Sequence, residues 1–243
     1  MKVSASHELF YVGFSHPRCG SGFTSSLIAA NGLQVGHERI RQSGIISWML
    51  IAERELNPWG DALGSLNPYN HKFLVARSPL TALVSVMGEN LNVRSFAWRV
   101  QVIWDVLGID LLAPDVIPQT SLAWAVGSFS LWYEMALTFD PAFIFRVDRP
   151  EDDKVLSEGL GIPIQRNKAI PSNSRPERHA GLHFEAQMLS SLPRAWTVRF
   201  AKVAQLVGYP EDAAAILKNA RQYMPPHRRS VDGIPEITEE HLE

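Results

Sequence analysis

Residues Tyr11–Ala30 read YVGFSHPRCGSGFTSSLIAA. Leu9, Phe10, Tyr11, Val12 and Phe14 form a short apolar run that suits a central strand. Gly20 and Gly22 let the backbone bend tightly and approach a ligand closely. Ser21, Thr24, Ser25 and Ser26 then bring hydroxyls to a first helical turn, where backbone N–H groups lack intrahelical partners. A strand, a glycine turn and a helix start make an anion site, because the N–H groups and the helix dipole converge there. Arg18 adds a permanent positive charge. The expected occupant is a phosphate.

The familiar versions of such a loop are excluded. The triphosphate loop GxxxxGK[ST] is absent, and no lysine lies between Lys2 and Lys72. The dinucleotide pattern GxGxxG fails after Gly20-Ser21-Gly22. A phosphatase-type loop needs arginine six residues after its cysteine, where Cys19 is followed by Ser25. The hydrolase elbow GxSxG fails because Cys19 takes the first glycine position.

Pro17-Arg18-Cys19-Gly20-Ser21-Gly22 resembles the 5′-phosphosulfate loop of the PAPS-dependent sulfotransferases, P-[KR]-[SC]-G-[ST]-T. A second stretch, Phe73-Leu74-Val75-Ala76-Arg77-Ser78-Pro79-Leu80 with Ser85, is similar to that family's 3′-phosphate motif. An arginine at a strand end forks onto a phosphate bidentately. Proline suits the first helical turn, where a missing N–H costs nothing. Weaker similarities lie in Val35-Gly36-His37-Glu38, in Phe143–Asp148 and in Leu206-Val207-Gly208-Tyr209, so the resemblance spans about residues 8 to 209.

The resemblance implies sulfuryl transfer from PAPS to an acceptor hydroxyl or amine, with adenosine 3′,5′-bisphosphate as product. It assigns nucleotide contacts to Arg18, Cys19, Gly20, Ser21, Gly22, Phe23, Thr24, Arg77 and Ser85. Gly22 stands where the family commonly carries threonine, which leaves Thr24, Ser25 or Ser26 to supply that hydroxyl. The resemblance also implies an electrostatic role for Arg18 on the bridging oxygen, since an arginine pKa is too high for proton donation. Glu38 is the candidate general base and His37 its competitor. Adjacent strand residues point to opposite faces, so one of the two is expected to face the site. His16 reads as turn-stabilising. Cys19 reads as a packing residue, although Arg18 and a helix N-terminus beside it would lower its pKa. No HExxH, paired CxxC or aspartate-rich array implies a metal. The alternatives are another P-loop phosphotransferase or a non-enzymatic nucleotide-binding module.

Around these motifs, strand patterns at Leu9–Phe14, Leu33–His37, Phe73–Ala76 and Ala142–Val147 alternate with helical ones. The helical patterns are Thr24–Asn31, Ile45–Glu55, Leu80–Leu91, Phe96–Leu107, Leu122–Thr138, Phe184–Ser191, Arg194–Leu206 and Asp212–Tyr223. Such alternation predicts an α/β chain: a three-layer α/β/α fold of the P-loop type around a mostly parallel sheet. Residues 1–224 are expected to form one domain and 225–243 a polar tail. The basic stretch Arg166–Arg178 is either a surface loop or a cover for the nucleotide. The formal net charge of −2 argues against non-specific binding to nucleic acid. One cysteine excludes an intramolecular disulfide and fits a reducing compartment. His7 and Glu8 interrupt any leader-like apolar run, and Leu122–Phe139 carries Ser128, Ser130 and Glu134. A cytoplasmic protein without a membrane span is therefore expected.

Overall fold

The computed structural model describes residues 10–62, 70–168 and 181–220. Its centre is a parallel sheet of β1 (Tyr11–Phe14), β2 (Val35–His37), β3 (Gly44–Ile46), β4 (His71–Ala76) and β5 (Ile144–Arg146). The strand order is β2-β3-β1-β4-β5. Tyr11 pairs with Gly44 on one side and with His71 on the other.

Side chains alternate across the sheet and divide the core in two. Tyr11, Val35, Ile46, Phe73, Val75 and Phe145 pack with Leu27 and Ile28 of α1 (Ser21–Ala30) and with Leu156 and Leu160 of α5 (Asp153–Leu160). Val12, Phe14, Ile45, Leu74 and Ala76 face the larger layer. That layer holds α2 (Pro79–Asn90), α3 (Val93–Leu107), α4 (Ser121–Leu137), α6 (Arg194–Leu206) and α7 (Pro210–Ala220). The fold is thus the expected three-layer α/β/α arrangement. Among the described residues no helix is long and apolar enough to cross a membrane.

Two readings change. The apolar run Ile45–Glu55 is not one helix: it is β3, then a 3₁₀ turn at Met49–Ala52. A short buried strand and a buried helical segment look alike in sequence. Gly44 decides the matter in space, since a Cβ there would lie 2.0 Å from the Tyr11 carbonyl oxygen. Only glycine lets β3 close on β1. The second change is α5, which the sequence reading did not anticipate. Most of the Arg166–Arg178 stretch, apart from a 3₁₀ turn at Arg166–Lys168, and the 225–243 tail lie outside the described residues.

The connections fix the functional edge. β1 leads into α1 on one face of the sheet, whereas its neighbour β4 leads into α2 on the other. The crevice between diverging connections, at the carboxyl ends of the strands, is where open α/β sheets bind ligands. The turn carrying Arg18 and the segment carrying Arg77 both begin at that crevice.

Candidate functional site

His16, Pro17, Arg18 and Cys19 form a tight turn closed by the Cys19 N–H on the His16 carbonyl at 3.1 Å. Proline at the second position and φ 71° at Arg18 match a type II turn. Gly20 follows at φ 99° and caps α1 with no side-chain hydrogen bond. A Cβ on Gly20 would lie 2.6 Å from Val147 Cγ1, so the turn is pressed against the chain leaving β5. α2, α3 and α4 each start under a side-chain cap, from Ser78, Asn92 and Thr120. The start of α1 has no side-chain cap, a condition an anion site needs and one that α5 and α6 also meet.

Of the residues assigned to the nucleotide, some face this crevice and some do not. Arg18, Gly20, Gly22 and Phe23 are partly exposed, and Ser21 is at the helix start. The Arg166 guanidinium lies 5.2 Å from the Phe23 ring centroid and is ion-paired with Asp153 at 2.6 Å. The Cys19 and Thr24 side chains do not face the crevice. Cys19 is fully buried and its thiol meets Tyr133; burial above all pushes its pKa up to about 12. Desolvation outweighs the positive charges of Arg77 and Arg99, so Cys19 is the packing residue the sequence suggested. The Thr24 hydroxyl is also fully buried and donates to the Gly20 carbonyl at 2.9 Å. Ser25 donates to the Val35 carbonyl at 2.9 Å, tying α1 to β2. Of the three hydroxyls left to replace the family's threonine, only that of Ser26 is not engaged this way.

The acid–base pair also differs from expectation. His37 Nε2 lies 3.1 Å from the Ser21 hydroxyl and 3.5 Å from Glu38 Oε1. Both side chains therefore occupy one place rather than opposite faces. The reason is Glu38 itself, whose φ of 57° ends the strand alternation. Its carboxylate is held by the Trp48 indole N–H at 2.9 Å. The three groups are not a serine-nucleophile triad, because Ser21 and Glu38 both meet the same imidazole nitrogen, whereas a triad needs one on each.

Comparison with known protein families, curated proteins and solved structures finds no match, so the chemistry is read from the chain's own geometry.

Arg77 stands at the end of β4, half-buried, close enough to the turn to act electrostatically on Cys19. Ser85 follows two turns into α2 and is half-buried. Around them the start of α2 is already occupied. Asp148 accepts from the Ser78 N–H at 3.0 Å and from the Tyr209 hydroxyl. Asp212 accepts from the Ser78 hydroxyl at 2.7 Å and the Leu80 N–H at 3.1 Å. An anion beside Arg77 would thus be held by side chains, not by the α2 terminus. Among the described residues no cluster of three or more His, Cys, Asp or Glu is placed to hold a metal ion.

Trp48 and the buried Arg99 are the groups that sequence reading missed. Trp48 lies inside an apolar run and carries no signal. Arg99 did carry one: it occupies the buried stripe of α3 with Phe96, Val100 and Ile103, where an arginine needs an explanation.

Proposed function

We propose that this protein is a sulfotransferase that moves a sulfuryl group from PAPS to an acceptor hydroxyl or amine. The observation that carries the reading is the convergence of the Arg18 turn and Arg77 at the crevice between β1 and β4. Two cationic devices at one sheet edge suit a nucleotide with two separated phosphates. The start of α1 and Arg18 receive the 5′-phosphosulfate, and Arg77 with Ser85 receives the 3′-phosphate. As the bond between sulfur and the bridging oxygen breaks, negative charge grows on that oxygen and Arg18 stabilises it. Glu38, steadied by Trp48, takes the acceptor proton as the acceptor oxygen or nitrogen bonds to sulfur in line. His37, between Ser21 and Glu38, links the phosphate side to the acceptor side.

Calorimetry with adenosine 3′,5′-bisphosphate, AMP and ATP tests the site, and a PAPS-dependent screen over phenol, sugar, amine and peptide acceptors tests the reaction. The reading expects the bisphosphate to bind tightest. Equal or tighter ATP binding would reject it in favour of a phosphotransferase. Bisphosphate binding with no transfer to any acceptor class would leave a nucleotide-binding module.

A further inference from the structure

Arg99 is fully buried, and among the described residues no carboxylate bonds it. Its guanidinium donates to Asn90 Oδ1 at 2.9 Å, meets His16 Nε2 at 3.0 Å and reaches the Ser95 carbonyl at 3.4 Å. It lies 5.9 Å from the Trp48 ring centroid and 5.8 Å from that of Phe96. Burial pulls its pKa down to about 10, which still leaves it charged at neutral pH. Asn90 Nδ2 and Ser95 Oγ in the same cluster find no partner among the described residues. A buried cation whose network leaves two neighbouring polar atoms unsatisfied is a poor stabiliser, and a well-packed apolar side chain would serve the core better. A role other than stability is needed to explain it.

The hydrogen-bond chain supplies that role. Arginine only donates, so His16 Nε2 must accept and Nδ1 must carry the ring proton. Nδ1 then donates to the Pro17 carbonyl at 2.8 Å. That carbonyl belongs to the central peptide of the type II turn. The positive φ at Arg18 is unfavourable for a residue with a side chain, and a flip of that one peptide to a type I turn would relieve it. The flip would break the His16 bond. The imidazole is fully buried, so it draws the Pro17 oxygen inward. In a trans peptide, the Arg18 N–H then points the opposite way, out of the core.

We propose that Arg99 and His16 are positioning residues: through the Pro17 carbonyl they hold the His16–Cys19 turn in the strained form that presents Arg18 and its N–H to an anionic ligand. Arg99 steadies the acceptor side as well, since Trp48, which it faces, holds Glu38. The inference rests on reading this turn as the anion site.

The test uses the full chain with His16→Leu, His16→Asn and Arg99→Met. Asparagine places an amide N–H where Nδ1 stood, so it retains the donor to Pro17. Two readouts are taken: the Arg18 amide resonance in ligand-free protein, and affinity for adenosine 3′,5′-bisphosphate beside melting temperature. Expected is a displaced Arg18 amide in His16→Leu and Arg99→Met but not in His16→Asn. The same two variants should bind roughly 10- to 100-fold more weakly, the usual reach of supporting-shell losses, with Arg99→Met melting no lower than wild type. An unmoved Arg18 amide in both apolar variants overturns the proposal. Binding that falls only in step with melting temperature does so too. The resonance decides the relay even if the nucleotide assignment fails, and His16→Leu alone suffices should Arg99→Met not fold.

Discussion

The Ser21 hydroxyl lies 3.1 Å from His37 Nε2, which joins the helix that starts the anion site to the strand that leads into the candidate base. Ser21 is the first residue of α1 and His37 the last of β2. Any ligand seated on the helix start is therefore within one side chain of Glu38.

Glu38→Gln and His37→Asn should separate on this ground. Glutamine keeps the shape of Glu38 and removes the proton-accepting charge. Turnover should fall by roughly 10²–10⁴-fold with nucleotide affinity nearly unchanged. His37→Asn disturbs Ser21 and Glu38 together, so it should lower both turnover and affinity for adenosine 3′,5′-bisphosphate. Steady-state kinetics with parallel calorimetry checks both. A His37→Asn enzyme that keeps full affinity and turnover would mean the imidazole is a bystander.

Arg77→Ala should weaken binding of adenosine 3′,5′-bisphosphate by about 2–4 kcal/mol, because a charge-assisted fork is lost and the phosphate is left partly unpaired. Arg77→Lys should recover only part, having lost the fork. Wild-type affinity in Arg77→Ala, measured by calorimetry, would make the residue structural.

Gly20→Ala should cost about 1–3 kcal/mol of stability, as expected for a strained backbone position. Two effects add: φ of 99° and a Cβ 2.6 Å from Val147 Cγ1. Gly20→Ala/Val147→Ala should recover the steric part alone. Urea denaturation distinguishes the two, and full recovery in the double variant would show that the φ contributes nothing.

Stability should fall on both sides of neutrality. Burial, and then the Arg99 charge, hold the His16 pKa well below 6.5. Below pH 6.5 the unfolded chain takes up a proton that the folded chain refuses, so stability falls as pH drops. Burial raises Cys19 from 9.0 to about 12. Between those values the unfolded chain loses a proton that the folded chain keeps, so stability falls as pH rises. Urea midpoints across pH 5–10 measure both limbs, and His16→Asn should flatten the limb between pH 5 and 6.5. At pH 8 Cys19 stays buried and protonated, so it should resist iodoacetamide until the protein unfolds. Rapid labelling of native protein would refute its burial.

The strand, turn and helix of Tyr11–Ala30 were legible in the residues alone, because apolar runs, glycines and a proline act over a few neighbours. So was the alternation that makes the fold α/β, and so was Arg77 at a strand end. What local pattern leaves undecided is long-range pairing. β3 was hidden in a run that reads equally as helix, and it became a strand by hydrogen bonding between β1 and β2. Glu38 joined His37 at one point because the Glu38 N–H bonds the Ile46 carbonyl and its carboxylate meets Trp48. Thr24 turned inward as α1 packed on the sheet, and Cys19, just before α1, turned into the larger layer on the other face. Arg99 acts on a turn 83 residues away in the chain. Local propensity follows from neighbours along the chain, but which side chains meet, and whether water reaches them, is set by how distant segments pack.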